Sequence, residues 1–387
     1  MPTPQCCPNP PCDAHHTPSR AWRVAYGSYH TAAHGTVRRY RCRTCGRTVS
    51  DQTESIHYFA KRRLPLRAIT ASLVSGASQR EIARRYRVSP MAIQHAVLRL
   101  GRQAMAAQVV MLHERPPLRT VAFDGLRSVV GSHDYPCDLT TVVSRVGEVV
   151  VDIDHAIMRR RGRMTDAQHR RAVAKYRVWR PETGSLTGSI VRIGTEIRTH
   201  LRPGDGEPIV IDTDEYPLYA RMITRHPVCT HMRRCGLLHH RRTSSRAART
   251  MANRLFPVNY LDRLLRHRVR EHTRETIAFG RHAGMQMHRA WVFAWDHNVR
   301  REHRVRRPER GVRLQQLGVA PEVIGRMRRG FFTRRIRVSG CAVPASIRRV
   351  WTGTIATPPL RWRCGQRGSS VRIPAFALRD LAYQQAR

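Results

Sequence analysis

The chain has 387 residues, with 70 Lys and Arg against 27 Asp and Glu and a formal net charge of +43. Such a charge repels itself and seeks polyanions, so nucleic acid is the expected partner. No run of about 18 apolar residues occurs and no basic amphipathic helix stands out, so neither a membrane span nor a membrane partner is expected.

Nearly all the positive charge is Arg, with Lys only at Lys61 and Lys175. A GC-rich genome explains Arg over Lys, but not the shortage of Asp and Glu. The first residues, MPTPQCCPNPPC, lack the charged start and apolar stretch of a secretory signal. Five of the ten cysteines precede residue 46, which is unlike a disulfide framework; a reducing prokaryotic cytoplasm is the expected home.

Residues 1–60 are rich in Cys, Pro, His and Thr and read as a small loop-rich module. Cys7 and Cys12 enclose four residues, and Cys42 and Cys45 enclose two. Two close pairs about thirty residues apart suit two tight knuckles converging on one tetrahedral zinc. Gly46 fits the backbone turn beneath the second knuckle. So small a module has little core, and metal would supply folding energy. Cys6 is an alternative to Cys7; His15, His16, His30 and His34 read more readily as surface groups.

Residues 61–115 turn helical. In SQREIARRYRVSPMAIQHAVLRL, from Ser78 to Leu100, Ile82 and Ala83 share a face, Ser89 can cap a second helix, and Pro90 suits its first position. The spacing matches a helix-turn-helix, whose second helix enters the major groove. Met91, Gln94 and His95 would face outward, Gln94 being suited to bidentate contact with adenine. Arg84, Arg85, Arg87 and Arg99 would grip phosphates. Arg87 stands where the turn often carries Gly.

Residues 116–305 alternate strand-like and helix-like runs. Strands are expected over 119–130, 139–145 and 148–155 as an antiparallel meander. Helices follow over 165–175 and 187–201, then a strand over 207–212 next to the first, then a helix from Pro217 to Thr224. Such an order belongs to an α/β, ribonuclease H-like mixed sheet. A helical pattern then runs from about 246 to 305, with Trp291 and Trp295 as packing residues. Residues 306–387 form a basic region without an assigned role.

Two carboxylate sites stand out. PIVIDTDEYPLY places Asp212, Asp214 and Glu215 after an apolar run, and the run Thr120–Phe123 leads to Asp124. Carboxylates at strand ends in so basic a chain suggest a divalent cation held against a polyanion. The plainer reading is salt bridging to the abundant Arg.

CPNPPC, YRCRTCGRTVSDQT, the helix-turn-helix, FDGLRSVVG, IDTDEYPLYAR and REHTRETIAFGRHAGMQMHRAWVFAWDHN together resemble the insertion-sequence-one-like DDE transposases over residues 5–305. The resemblance implies a zinc ribbon, a helix-turn-helix and a ribonuclease H-like catalytic domain holding two Mg²⁺ or Mn²⁺ ions. It also implies terminal inverted repeats and target double-stranded DNA as partners, with a homo-oligomer in action. Asp124 and Asp214 match the first and second family carboxylates. For the third, an ungapped count reaches Asn259; Asp262, three residues on and on the same face of a helix, is the expected ligand, with Glu271 and Glu275 behind it. Asp212 would point to the same side as Asp214 by strand alternation. His231 and Arg274 are phosphate-facing candidates. The rivals are an inactive relic or regulator that binds without cutting, and a nuclease for branched DNA.

Overall fold

A computed structural model describes residues 3–9, 11–196, 207–273, 278–338 and 341–359, with Leu201 and Leu378. It is mixed α/β, with two sheets.

The N-terminal residues gather around a core of their own. A one-turn helix α1 (Asp13–His16) precedes an antiparallel sheet of β1 (Arg23–Thr31), β2 (Gly35–Cys42) and β3 (Thr48–Ser50). Most of β1 is exposed. The small core consists of Cys7, Cys12, Ala14, Trp22, Cys42 and Val49, with Tyr40 against it. Gly46 turns the chain after Cys45 at φ +71°, a conformation that costs a glycine little.

Three helices follow: α2 (Leu66–Val74), α3 (Gln79–Arg85) and α4 (Pro90–Glu114). Ser78 Oγ accepts from the Glu81 amide and Ser89 Oγ from the Ala92 amide, satisfying donors that a helix start leaves open. Between α3 and α4, Arg87 adopts φ +50°, which is why glycine is favoured at such a turn. From Ala96 onward α4 is buried along nearly its whole length. A single hydrophobic core runs from Ile56 on to Ile355, so these helices share it with the sheet that follows.

The larger sheet contains β4 (Thr120–Val130), β5 (Ser132–Ser144), β6 (Val150–Ile157), β7 (Ile209–Thr213) and β8 (Leu238–Arg242), in the order β6-β5-β4-β7-β8. The first three are antiparallel; β7 is parallel to β4 and β8 to β7. Between β6 and β7 lie α5 (Asp166–Val178), started by a capping box of Thr165 and Gln168, and α6 (Ser185–Thr195). Between β7 and β8 lie α7 (Pro217–Arg225) and α8 (Pro227–Arg234). Then come α9 (Phe256–Arg268) and the buried α10 (Ala283–Trp295).

A π turn, Asp296–Arg300, extends α10. Its Asn298 side chain accepts from the Val150 amide and donates to the Val150 carbonyl, bracing the start of β6 near a register shift. Later residues join the same core. In α11 (Pro321–Phe331), Phe331 stacks on Trp295; in α12 (Ala345–Trp351), Ser346 donates to buried Asp152.

Three expectations change. The second strand is 13 residues long and starts at Ser132, because the Gly131 turn at φ +69° closes a hairpin directly onto β4. The helical pattern expected from 246 begins only at Phe256, after turns. The fifth strand, β8, was not expected. Among the described residues, no helix is long and apolar enough to cross a membrane.

Candidate functional site

Two places gather ligand-type atoms. In the first, the sulfurs of Cys7, Cys12, Cys42 and Cys45 all lie within 4.8 Å of one another. Cys7 and Cys45 are 3.5 Å apart and Cys12 and Cys42 3.8 Å. A tetrahedron with Zn–S bonds of ~2.3 Å has edges of ~3.8 Å, so the set fits a metal such as zinc. Burial pushes the Cys42 thiol up, but amides of Cys45 and Thr44 and the neighbouring thiols more than offset it and bring it to about 7. Of the adjacent pair, Cys7 belongs to the cluster and Cys6 does not. His15 is turned to the Cys7 carbonyl at 2.7 Å.

The second place is the end of the parallel β4–β7 ladder. The register pairs Thr120 with Val210 and Phe123 with Thr213. There β7 stops while β4 continues, so Asp124 lies within its strand and Asp214 just past the end of its own. Asp214 Oδ1 accepts from the Tyr216 amide at 2.9 Å, which fixes the turn into α7. Asp124, Asp214 and Asn259 line one small cavity of about 100 Å³. Asp262 follows Asn259 by three residues on α9, and its Oδ1 is buried with no hydrogen-bond partner.

Asp124 and Asp262 are both raised, and the charge of Asp124 links them. Burial, then the charges of Asp214 and Asp138, push Asp124 up to about 6; the Gly125 amide and Arg249 offset part of this. Asp262 is raised further, by burial first and then by Asp124. Their oxygens stay apart, however. Among the described residues, no three carboxylate oxygens lie within 4.8 Å of one another.

Other buried acids are in the opposite state. Asp212 is held by a fork from Arg241, with both bonds at 2.8 Å. Asp154 meets Arg192 and Arg349, Asp134 meets Lys175, and Asp296 meets Arg300 and Arg301. Burial raises Glu148, yet His303 and Arg304 hold it at about 2. The plain salt-bridge reading is therefore right for these groups.

It also corrects two expectations. Asp212 is committed to Arg241 and is no partner of Asp214; strand alternation fails because Asp214 lies in the turn beyond β7. Glu271 is buried and paired with Arg289 at 3.2 Å. Glu275 and Arg274 lie outside the described residues. His231 is exposed on α8, 3.8 Å from Cys235, and does not line the cavity.

Sequence reasoning missed the loop after β8. Ser244, Ser245, Arg249 and Asn253 line the same cavity as Asp124 and Asp214. The loop has no periodicity to betray it. The available signal was topological: ligand crevices form beyond the carboxyl ends of parallel strands, and β8 ends beside β7.

On the helical segment, Met91 and His95 are exposed and Gln94 half-buried at the start of α4. Arg84, Arg85 and Arg87 are exposed; Arg84 pairs with Glu81, and Arg85 reaches Ser72 Oγ at 3.2 Å. Arg99 departs from expectation. It turns inward and donates to the carbonyls of Ile56 and Tyr58 at 2.6 and 2.7 Å, so it is a structural clasp, not a phosphate contact.

No protein-family model and no curated protein sequence matches the chain.

Proposed function

We propose that the chain is a DDE-type transposase that binds the ends of an insertion sequence, cuts there, and joins the freed ends to target DNA. The observation that carries this reading is the isolation of Asp124, Asp214 and Asp262. In a chain with 70 Lys and Arg, most buried acids hold a guanidinium or ammonium group, while Asp124 and Asp214 line one cavity from separate strands and the charge of Asp124 reaches Asp262 on a helix. Carboxylates gathered in a partly buried place with no ion pair of their own are costly unless cations supply the missing charge.

The donor set fits. Carboxylate oxygens, with the Asn259 amide beside them, suit hard divalent ions such as Mg²⁺ or Mn²⁺. Asp124, Asp214 and Asp262 would hold them. Two such ions, when bound, supply an activated water and charge stabilisation for the leaving oxygen. The protein's own part is positional: β4 and β7 fix two ligands, α9 brings the third, and Arg249 can face a phosphate. Water first cleaves the phosphodiester at the element's end and frees a 3′-hydroxyl. That oxygen then forms a P–O bond at the target as the target's own P–O3′ bond breaks, and the displaced 3′-oxygen takes up the proton.

The strand order and directions of the larger sheet support a ribonuclease H-like reading. The cysteine cluster on a small antiparallel sheet supports a zinc ribbon. The capped α3–α4 pair supports a helix-turn-helix. Labelled terminal repeats incubated with the chain in Mg²⁺ or Mn²⁺ should give cleaved and strand-transfer products. Asp124→Asn should abolish both, by about 1,000-fold or more, and leave DNA binding intact. Activity retained in that variant would sink the assignment.

A second reading, DNA binding without cutting, draws on the separation of the carboxylate oxygens. It predicts bound terminal repeats and no product with either ion.

A further inference from the structure

The helical segment holds a feature that major-groove reading does not use. Residues 57–64 and the helices α3 and α4 enclose a groove of about 1290 Å³, larger than the ~300–1,000 Å³ of a small-molecule pocket. Met91, Ala92 and His95, at the start of α4, line it. A helix that reads duplex DNA enters the major groove from outside and must stand proud of its surroundings. Here the helix start forms the wall of a concavity.

The lining is divided by chemistry. Its buried members are mostly apolar, Leu66, Ala83, Ala96 and Leu98, with His57 and Arg102 beside them. Its exposed members include Arg62, Arg80, Arg84 and Arg87, with Lys61. Phe59 stands at the edge, 62% exposed, its ring packed on Tyr58 at 4.2 Å. It adopts φ +55°, a left-handed conformation that non-glycine residues rarely take. Arg99 secures the carbonyls of Ile56 and Tyr58 beside it, so the presentation of Phe59 is built into the fold.

We propose that this groove binds an unpaired DNA strand, with a base stacked on Phe59 and the phosphates on the arginine rim. An apolar bed with an aromatic edge receives base faces, which every base offers, while a cationic rim follows the backbone. The charge excludes a basic ligand, and the volume suits a polymer segment. The inference rests on the DNA-binding reading above and narrows it: at this groove the chain holds a strand opened from the duplex.

The test uses the full zinc-loaded chain and a fluorescein-labelled oligothymidylate of about 20 nucleotides, followed by anisotropy against a duplex of equal length. Phe59→Ala should weaken the single-strand affinity about 10-fold with the salt dependence unchanged, and Phe59→Trp should restore it. Arg84→Ala and Arg87→Ala should each flatten the salt dependence. 5-Iodouracil placed in the oligonucleotide should crosslink to Phe59. An unaltered affinity in Phe59→Ala overturns the proposal, as does displacement of the oligonucleotide by polyglutamate at equal charge. Duplex binding that survives while the Phe59 variants change nothing defeats this inference alone. Failure to bind either form of DNA defeats the broader reading too.

Discussion

The cysteine cluster and the acid cavity each bring together groups able to hold a cation, but they are differently assembled. Four sulfurs close to within 4.8 Å, whereas the carboxylates of Asp124, Asp214 and Asp262 share a neighbourhood without closing. A thiol can remain neutral and pack as a small hydrophobe, so the knuckles close in a buried setting. Carboxylates repel, and burial in low dielectric sharpens the repulsion. The surroundings differ as well. Cysteines are three of the six residues of the small core, while Asp124 and Asp214 stand at the end of an interior strand pair in a sheet that a large core already holds. Metal at the first place would hold the fold together; metal at the second would serve chemistry on a scaffold that stands without it.

Removing metal is the harshest way to break that comparison. Chelation of zinc, or Cys42→Ser, should forfeit on the order of 10 kcal/mol of binding free energy coupled to folding. Limited proteolysis should then cut within residues 3–50 and spare the sheet; equal resistance before and after chelation would refute the structural role.

Next comes the contrast between Asp212 and Asp214, two residues apart. Arg241→Ala leaves the Asp212 carboxylate buried and unpaired, and should cost about 3 kcal/mol in urea unfolding. Asp214→Asn should cost about 0.5 kcal/mol or less, since it severs no ion pair. Equal losses would mean the two acids are not in opposite states.

Asp124→Asn should be stabilising when divalent ions are absent. The folded carboxyl, raised to about 6 from its usual value, makes ionisation unfavourable. Folding therefore loses stability as pH rises from about 4 through 6, and the variant escapes this loss. At pH 8 the gain should be about 3 kcal/mol, and it should vanish below pH 4. A destabilised variant at pH 8 would contradict this origin of the shift.

The interior histidines respond to acid with the opposite sign. Burial, first of all, lowers His155, His272 and His297 to about 3 and His57 to about 4. Their contribution is complete above an unfolded value near 6.5 and is lost as pH falls below it. Each should cost about 1 kcal/mol by pH 5.5. His155→Gln should therefore show a shallower loss between pH 6.5 and 5 in urea titrations.

The sequence was most readable where one pattern served both local and tertiary structure. The run IVIDT carries β-branched residues into a buried strand and became β7, and Ser89-Pro90 started α4 as expected. It was least readable where partners decide. LHHRR has a single buried apolar residue, Leu238, and becomes β8 because β7 offers an edge with open hydrogen bonds. His133, Asp134 and Pro136 look like turn residues, yet they extend β5, with Pro136 opposite a bulge at Val129. At the cavity, Asp124 and Asp214 were visible from their strands. The commitment of Asp212 to Arg241, of Glu271 to Arg289 and of Arg99 to two carbonyls was hidden, because no spacing encodes a pairing across distant segments. Arg249 stood among 70 basic residues with nothing in its surroundings to single it out.

The measurement that bears most directly on the acid cavity is Mn²⁺ binding by the zinc-loaded chain, followed by electron paramagnetic resonance. Wild type should bind Mn²⁺, with Mg²⁺ competing, and Asp124→Asn, Asp214→Asn and Asp262→Asn should each weaken binding at least about 10-fold, in line with the loss of a charged ligand. Binding that all three substitutions leave untouched, or no binding at millimolar Mn²⁺, would show that these carboxylates do not form a cation site.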